Sequence, residues 1–164
     1  MKQDYKKYGY FSDKSKEFVI TRPDTPKPWV NYISNGKYSG LISHVGGGYS
    51  FFENPKDNRI TRWRYNSLPM DRPGRYVMVR DEETGEFWSP TWQPTPQKKY
   101  NFYECRHGLY YTKITTEYNE LRSSILYFVP RDANLEVWKL SLKNNSDKAK
   151  TYKLFAYQEL ALGH

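Results

Sequence analysis

The chain has 164 residues, enough for one domain with a buried core, and its 26 Lys and Arg against 18 Asp and Glu give a net charge of +8. That charge permits binding to phosphate or to a polyanion but requires neither. The single cysteine, Cys105, excludes an internal disulfide and fits a reducing compartment. The sequence has no amino-terminal signal-like run and no stretch of about 20 apolar residues, so we expect a cytoplasmic protein without a membrane segment.

Short β-strands alternate with turn residues throughout the first half of the chain. A loop with three prolines, RPDTPKPW at 22–29, lacks several backbone donors and is predicted to be extended. Asn35-Gly36 is a strong tight-turn signal. Strands are predicted at 9–11, 17–21, 30–33, 38–44 and 49–52.

The three consecutive glycines at 46–48 are the most distinctive turn signal. Glycine tolerates positive φ and lets another group approach the backbone, so we expect a flexible edge turn in which a β-branched residue at Gly47 would be harmful. The aromatic strand that follows is predicted to form a hairpin with a return strand at 59–66. Alternation puts Arg62 and Arg64 on one face of that strand. This basic and aromatic hairpin is a candidate recognition surface, although most such arginines are only solvated.

The second half of the chain is more regular and contains no helical periodicity. No segment of about 10 residues shows a period of 3.6, and turn signals recur every 8 to 12 residues. The predicted fold is therefore all-β, an antiparallel β-sandwich or barrel. Strands are predicted at 75–81, 86–89, 100–107, 109–118, 121–129, 135–142 and 151–160.

The sequence offers no recognisable catalytic or metal-binding machinery. Its three histidines are not at zinc spacing, and Cys105 is predicted to be a buried structural thiol, although it shares a strand face with His107. No P-loop, Rossmann fingerprint or nucleophile elbow is present. Trp29, Trp88 and Trp92 lie in or beside proline-rich loops. They either stack on sugar rings or fix the loops by burial, and we favour burial.

Long motifs, in order along the chain, resemble the opening of the disaccharide phosphorylases of glycoside hydrolase family 94, which act on cellobiose and N,N'-diacetylchitobiose. They cover nearly the whole sequence. They are YGYF at 8–11, EFVITRPDTP at 17–26, PWVNY at 28–32, GGYSF at 47–51, RITRWRYN at 59–66, FWSPTWQP at 87–94, YECRHGL at 103–109 and EVW at 136–138.

The resemblance implies a galactose-mutarotase-like supersandwich, of which residues 1–164 form an N-terminal and incomplete part. In this family an Asp in a separate helical barrel is the general acid, and inorganic phosphate attacks in place of water, with inversion. We therefore expect no catalytic residue, metal or cofactor in this chain, with phosphate as a co-substrate of the full-length enzyme. The expected substrate is a β-linked gluco- or N-acetylgluco-disaccharide.

The resemblance also implies partners and a candidate site. The partners are the catalytic helical barrel of the same enzyme and a second protomer, whose active site the sandwich loops approach. The rival interpretations are a stand-alone carbohydrate-binding sandwich and a polyanion-binding domain using Arg59, Arg62 and Arg64; nucleic acid and membranes are not expected partners. The candidate substrate or interface loop is Ser43, His44, Gly46, Gly47, Gly48 and Tyr49, supported by Arg62, Arg64, Tyr65 and Asn66.

Overall fold

The computed structural model describes residues 5–63, 73–96 and 98–161, and these ranges form twelve β-strands and one 3₁₀ turn at Tyr5–Lys7. None of these ranges contains an α-helix, nor any helix long and apolar enough to cross a membrane. The strands are β1 (Gly9–Ser12), β2 (Glu17–Ile20), β3 (Val30–Ser34), β4 (Tyr38–Ser43), β5 (Gly48–Phe52), β6 (Tyr76–Asp81), β7 (Phe87–Trp88), β8 (Phe102–His107), β9 (Tyr111–Tyr118), β10 (Leu121–Phe128), β11 (Val137–Asn144) and β12 (Tyr152–Tyr157).

The strands form one six-stranded sheet and two three-stranded sheets. The large sheet has the order β1-β2-β8-β9-β10-β11, and the small sheets have the orders β12-β6-β7 and β3-β4-β5. Every pairing between these neighbours is antiparallel. The predicted all-β, antiparallel fold is confirmed.

The core lies where the inward faces of the three sheets meet. Strand β10 shows the pattern most clearly, because its alternate residues are buried while their neighbours are more exposed. Ile125 of β10 is paired with Ile114 of β9, and both are fully buried. The main buried cluster also contains Ile33 and Ile42 from the small sheet opposite. The chain can therefore bury apolar area between layers without a helix.

The predicted return strand at 59–66 does not form a regular strand in its described part. Ile60 N and Thr61 N both bond to the Ser50 carbonyl, which interrupts the even spacing of an antiparallel ladder. The chain then leaves β5, and Thr61 pairs with Leu160 instead. Arg64, Tyr65 and Asn66 lie outside the described residues.

Strand β12 carries apolar side chains on both of its faces. Leu154 and Phe155 are consecutive, so they point to opposite faces, and they are 50% and 48% exposed. A strand that is apolar on both faces is typical of one that further structure covers on each side.

Candidate functional site

The glycine-rich turn joins β4 to β5 and is buried inside the domain. Ser43 N donates to the Gly47 carbonyl at 2.7 Å, and Gly47 N donates to the Ser43 hydroxyl at 2.9 Å. Ser43 and His44 are almost completely buried, and the Tyr103 hydroxyl donates to the His44 carbonyl. The prediction of a flexible edge turn is therefore wrong, because the backbone groups of the turn are bonded to each other and to a core side chain.

Segment 73–75 runs beside the turn and is joined to it by two backbone hydrogen bonds. Gly48 N donates to the Pro73 carbonyl at 3.1 Å, and Arg75 N donates to the Gly46 carbonyl at 2.9 Å. These two bonds join the turn to the start of β6. The turn is consequently a fixed part of the junction between the two small sheets.

Positive φ is needed at the first and third glycines of the turn. Gly46 has φ of 83° and Gly48 has φ of 128°, whereas Gly47 does not adopt a positive φ. A Cβ atom on Gly48 would lie 2.0 Å from the Leu41 carbonyl oxygen, so the strand pairing itself requires glycine there. The expected positive φ at Gly47 is therefore wrong, and a side chain there would instead meet Ser43 Oγ, 3.1 Å from an added Cβ.

Two histidines hold the proline-rich loop at its end, Trp29. Trp29 N donates to His44 Nδ1 at 3.3 Å, and His44 N donates to the Trp29 carbonyl at 2.9 Å. His107 Nε2 lies 3.2 Å from the same carbonyl, and its Nδ1 lies 2.9 Å from Thr112 Oγ1. His44 Nε2 also lies 2.9 Å from the Pro23 carbonyl. No local pattern signals this role, because the partners are distant along the chain.

The stability of the domain should depend on pH through His107. Burial lowers the pKa of His107 from 6.5 to about 4, so the unfolded chain binds more protons than the folded one between these two values. The contribution of the neutral ring is present above about pH 6.5 and is lost as the pH falls towards 4. We expect the free energy of unfolding to drop by roughly 1 to 3 kcal/mol across that window. Urea unfolding at stepped pH should show a shallower drop in His107→Asn, and equal slopes would contradict the prediction.

A pocket of about 450 Å³ opens between the glycine turn and the proline-rich loop, a size found in small-ligand sites. Asp24 is the carboxylate among the described residues that line the pocket. Asp24 is paired with Arg22 at 2.5 Å, and that hydrogen bond holds the pKa of Asp24 below its usual range, so Asp24 is not a general acid at neutral pH. The apolar wall residues of the pocket include Pro23, Pro26, Pro28, Val30, Leu41, Val45, Trp63 and Trp92.

Tyr49 lies next to this pocket, and both Tyr49 and Arg62 are held by neighbours of this same chain. The Tyr49 ring lies 5.1 Å from the ring of Trp63, which lines the pocket, and the Arg59 guanidinium lies 5.7 Å from the Tyr49 ring centre. Arg62 Nη1 pairs with Glu159 Oε2 at 2.5 Å and remains 41% exposed. Arg62 is thus paired with a carboxylate of the same domain.

A buried ion pair that the sequence did not predict lies at the start of β6. Arg75 is 1% exposed and Glu136 is 4% exposed, and Arg75 Nε contacts Glu136 Oε1. Glu136 also accepts hydrogen bonds from Ser50 Oγ and Trp138 Nε1, each at 2.8 Å. A Cβ on Gly40 would lie 3.0 Å from both charged groups, so a glycine makes room for the pair. The two charges are 61 positions apart along the chain, which hides this contact from any local pattern.

The Cys105 thiol and the tryptophans beside the proline-rich loops pack in or against the core, as the sequence predicted. Burial raises the pKa of Cys105 well above its usual value, so its thiol is a poor nucleophile, and it lies 3.9 Å from the His107 ring nitrogens. Within the described ranges no three His, Cys, Asp or Glu side chains group as metal ligands. Trp88 is fully buried, and Trp29 and Trp92 pack against the core. Burial, the preferred interpretation, is confirmed for Trp88, whereas Trp29 and Trp92 are only partly buried and each lines a pocket.

The family profile described as "Glycosyl hydrolase 94, supersandwich domain" matches residues 16–164. The chain belongs to glycosyl hydrolase family 94. The antiparallel, all-β architecture agrees with a supersandwich domain, as the resemblance implied.

Curated relatives within this family are much longer proteins. The chain is 45% identical over 159 residues to an N,N'-diacetylchitobiose phosphorylase of Vibrio furnissii, covering 96% of this chain and 20% of that protein. It is 38% identical to a 3-O-beta-D-glucopyranosyl-beta-D-glucuronide phosphorylase of Paenibacillus borealis, covering 95% of this chain and 19% of that protein. It is 33% identical to a solabiose phosphorylase of the same organism, covering 94% and 20%. The chain thus spans about a fifth of the length of these phosphorylases.

Proposed function

We propose that this chain is the N-terminal, non-catalytic sandwich domain of an inverting disaccharide phosphorylase. The full-length enzyme would cleave a β-linked gluco- or N-acetylgluco-disaccharide with inorganic phosphate and release a sugar 1-phosphate. The observation that carries this proposal is 45% identity, over 96% of the chain, to a diacetylchitobiose phosphorylase. The apolar side chains on both faces of β12 also support a domain that further parts of a longer protein cover.

The charge state of the buried Glu17 supports a non-catalytic role for that side chain. Although burial alone would raise the pKa of Glu17, hydrogen bonds from Ser15, Tyr111 and Arg106 lower it below its usual value. A general acid must carry a proton at the working pH, and a carboxylate with a lowered pKa does not.

The function is tested by incubating the full-length protein with cellobiose or N,N'-diacetylchitobiose and inorganic phosphate. We expect a sugar 1-phosphate from the full-length protein and none from the 164-residue chain, because the resemblance places the general acid in the helical barrel. Phosphorolysis by the 164-residue chain above a mock preparation would contradict the non-catalytic role. Failure of the full-length protein on all β-disaccharides would favour the stand-alone carbohydrate-binding sandwich.

We further propose that the turn at residues 43–49 and its pocket face the active site of a second protomer in a homodimer. The support is the largely apolar wall of the pocket, with Trp63 and Trp92 beside the turn. The buried bonds of the turn would present this wall in a fixed shape, which reduces the entropy lost on association.

Arg62 should then affect substrate binding or dimerisation rather than the chemical step. In the full-length protein, Arg62→Ala is expected to raise KM or the dimer dissociation constant about two- to fivefold, because a half-exposed ion pair contributes up to about 1 kcal/mol. The value of kcat should be unchanged. Glu159→Gln removes the same pair from the other side and should reproduce the effect. Unchanged kinetics and dimer mass in both folded variants would leave the turn as a packing element only.

A further inference from the structure

A second concave surface, the aromatic groove, has no role in the function proposed above. It has a volume of about 760 Å³, and Pro28 and Val30 separate it from the glycine-turn pocket, since they line both. We define the aromatic groove by Phe11, Phe18, Trp29, Val30 and Leu109, and its polar members are Lys16, Glu17, Asn31 and His107.

The apolar side of the groove is built from rings that fix one another. The Phe11 and Phe18 ring centres are 4.6 Å apart and steeply inclined to each other, and the Phe18 and Trp29 centres are 5.2 Å apart. Phe11 is nevertheless 73% exposed, as is Leu109. The groove therefore presents a fixed aromatic surface to solvent rather than a chance scatter of apolar side chains.

The polar side of the groove presents hydrogen-bond acceptors in fixed positions. Asn31 Nδ2 donates to the Gly108 carbonyl at 2.9 Å and to the Tyr111 carbonyl at 3.0 Å, which fixes the amide plane. Its Oδ1 accepts no hydrogen bond from any described residue. Glu17 is only 6% exposed, and its oxygens already accept from Arg106 at 2.8 Å, from the Tyr111 hydroxyl and from Ser15, so Asn31 Oδ1 is the more accessible acceptor.

We propose that the aromatic groove is a non-catalytic binding site for a chain of β-linked pyranoses. A pyranose has an apolar C–H face that fits against Phe11, and hydroxyl groups that can donate to Asn31 Oδ1 and accept from Lys16 Nζ. An apolar side chain placed against Asn31 fits less well than a sugar hydroxyl, because it would bury the Asn31 oxygen without a donor. A polyanion fits less well because Lys16 and Glu17 line the groove together and their opposite charges offset each other. The choice of a gluco- or N-acetylgluco-chain rests on the proposed function.

Affinity electrophoresis of the full-length protein tests this proposal with two soluble probes, hydroxyethylcellulose and glycol chitin. We expect the wild type to be retarded in gels that contain at least one probe, which also distinguishes the two sugar classes. Phe11→Ala and Leu109→Ala should each weaken this retardation about tenfold in apparent dissociation constant. Phe87→Ala is the matched control, because Phe87 is 56% exposed on β7 and lies outside the groove.

Thermal unfolding midpoints should confirm that each variant is folded. Wild-type retardation in neither probe, or retardation that the Phe11 and Leu109 variants retain in full, would overturn the groove as a sugar site. Sugar 1-phosphate formation is assayed separately on the same wild-type preparation. Retardation without phosphorolysis would reject the proposed phosphorylase activity and support the sugar-binding groove. Phosphorolysis without retardation would support the phosphorylase activity and reject the sugar-binding groove.

Discussion

Replacing Glu136 with alanine is expected to lower the free energy of unfolding by about 3 to 5 kcal/mol, the largest loss we expect from removing a side chain. The Arg75 guanidinium is fully buried, so the variant would leave a buried positive charge without its partner. Ser50 and Trp138 would also lose the carboxylate to which they donate. Urea unfolding followed by tryptophan fluorescence measures this loss.

Two further variants distinguish the cost of leaving the Arg75 charge unpaired from the cost of losing the Glu136 side chain itself. The double variant Arg75→Met/Glu136→Leu should recover most of the lost stability, because apolar side chains of similar volume remove the unpaired charge. Lys153→Gln breaks the exposed pair with Glu82 and should cost no more than about 1 kcal/mol. A loss in Glu136→Ala no larger than that of the exposed pair would show that the buried pair is not a main support of the domain.

Replacing Gly48 with alanine is expected to destabilise the domain by more than about 3 kcal/mol or to prevent folding. The new Cβ would lie 2.0 Å from the Leu41 carbonyl oxygen, in the ladder between β4 and β5, and φ at this position is 128°. Relief of that contact requires the two strands to separate, which also opens the pocket beside the turn. The unfolding free energy and the yield of folded protein measure the effect.

Two other glycines serve as controls that separate the backbone strain of a positive φ from the steric contact of the added Cβ. Gly85 has φ of 72°, and a Cβ added there would meet no atom within 4 Å, so Gly85→Ala should cost only the backbone strain of about 1 to 2 kcal/mol. Gly47→Ala would place a Cβ 3.1 Å from the Ser43 hydroxyl without positive φ, and should cost less than Gly48→Ala. Equal losses in the Gly48 and Gly85 variants would show that the contact with Leu41 contributes nothing.

Local patterns predicted the strands well wherever turn residues bounded an apolar run. The Asn35-Gly36 turn is present, with Gly36 at φ of 95°, and the predicted strand at 121–129 is β10. The predicted strand at 135–142 alternates almost perfectly, with one slip between Val137 and Leu140. In the structure Trp138 and Leu140 pack against the core, while Leu135 is 47% exposed. A slip of one residue exchanges the two faces of a strand, so the pattern alone could not choose between them.

Local patterns also failed where bonds between distant segments overrode them. Three consecutive glycines predicted flexibility, but bonds to Pro73, Arg75 and Tyr103 bury the turn. The return strand was predicted from its alternation, but Thr61 instead pairs with Leu160, 99 residues later. A glycine in the sequence shows only that an unusual φ is allowed at that position. It does not show which distant residues will bond to the turn.

The all-β class, the positions of most strands and the resemblance to family 94 can be read from the amino-acid sequence alone, because they depend on short-range periodicity and on runs of consecutive residues. The folded structure was needed to see that Glu136 neutralises Arg75, that His44 and His107 hold Trp29, and that Phe11 and Asn31 face one groove. These contacts join residues that are 15 to 78 positions apart. In an antiparallel sandwich such neighbours are set by strand order and register, which no local pattern encodes.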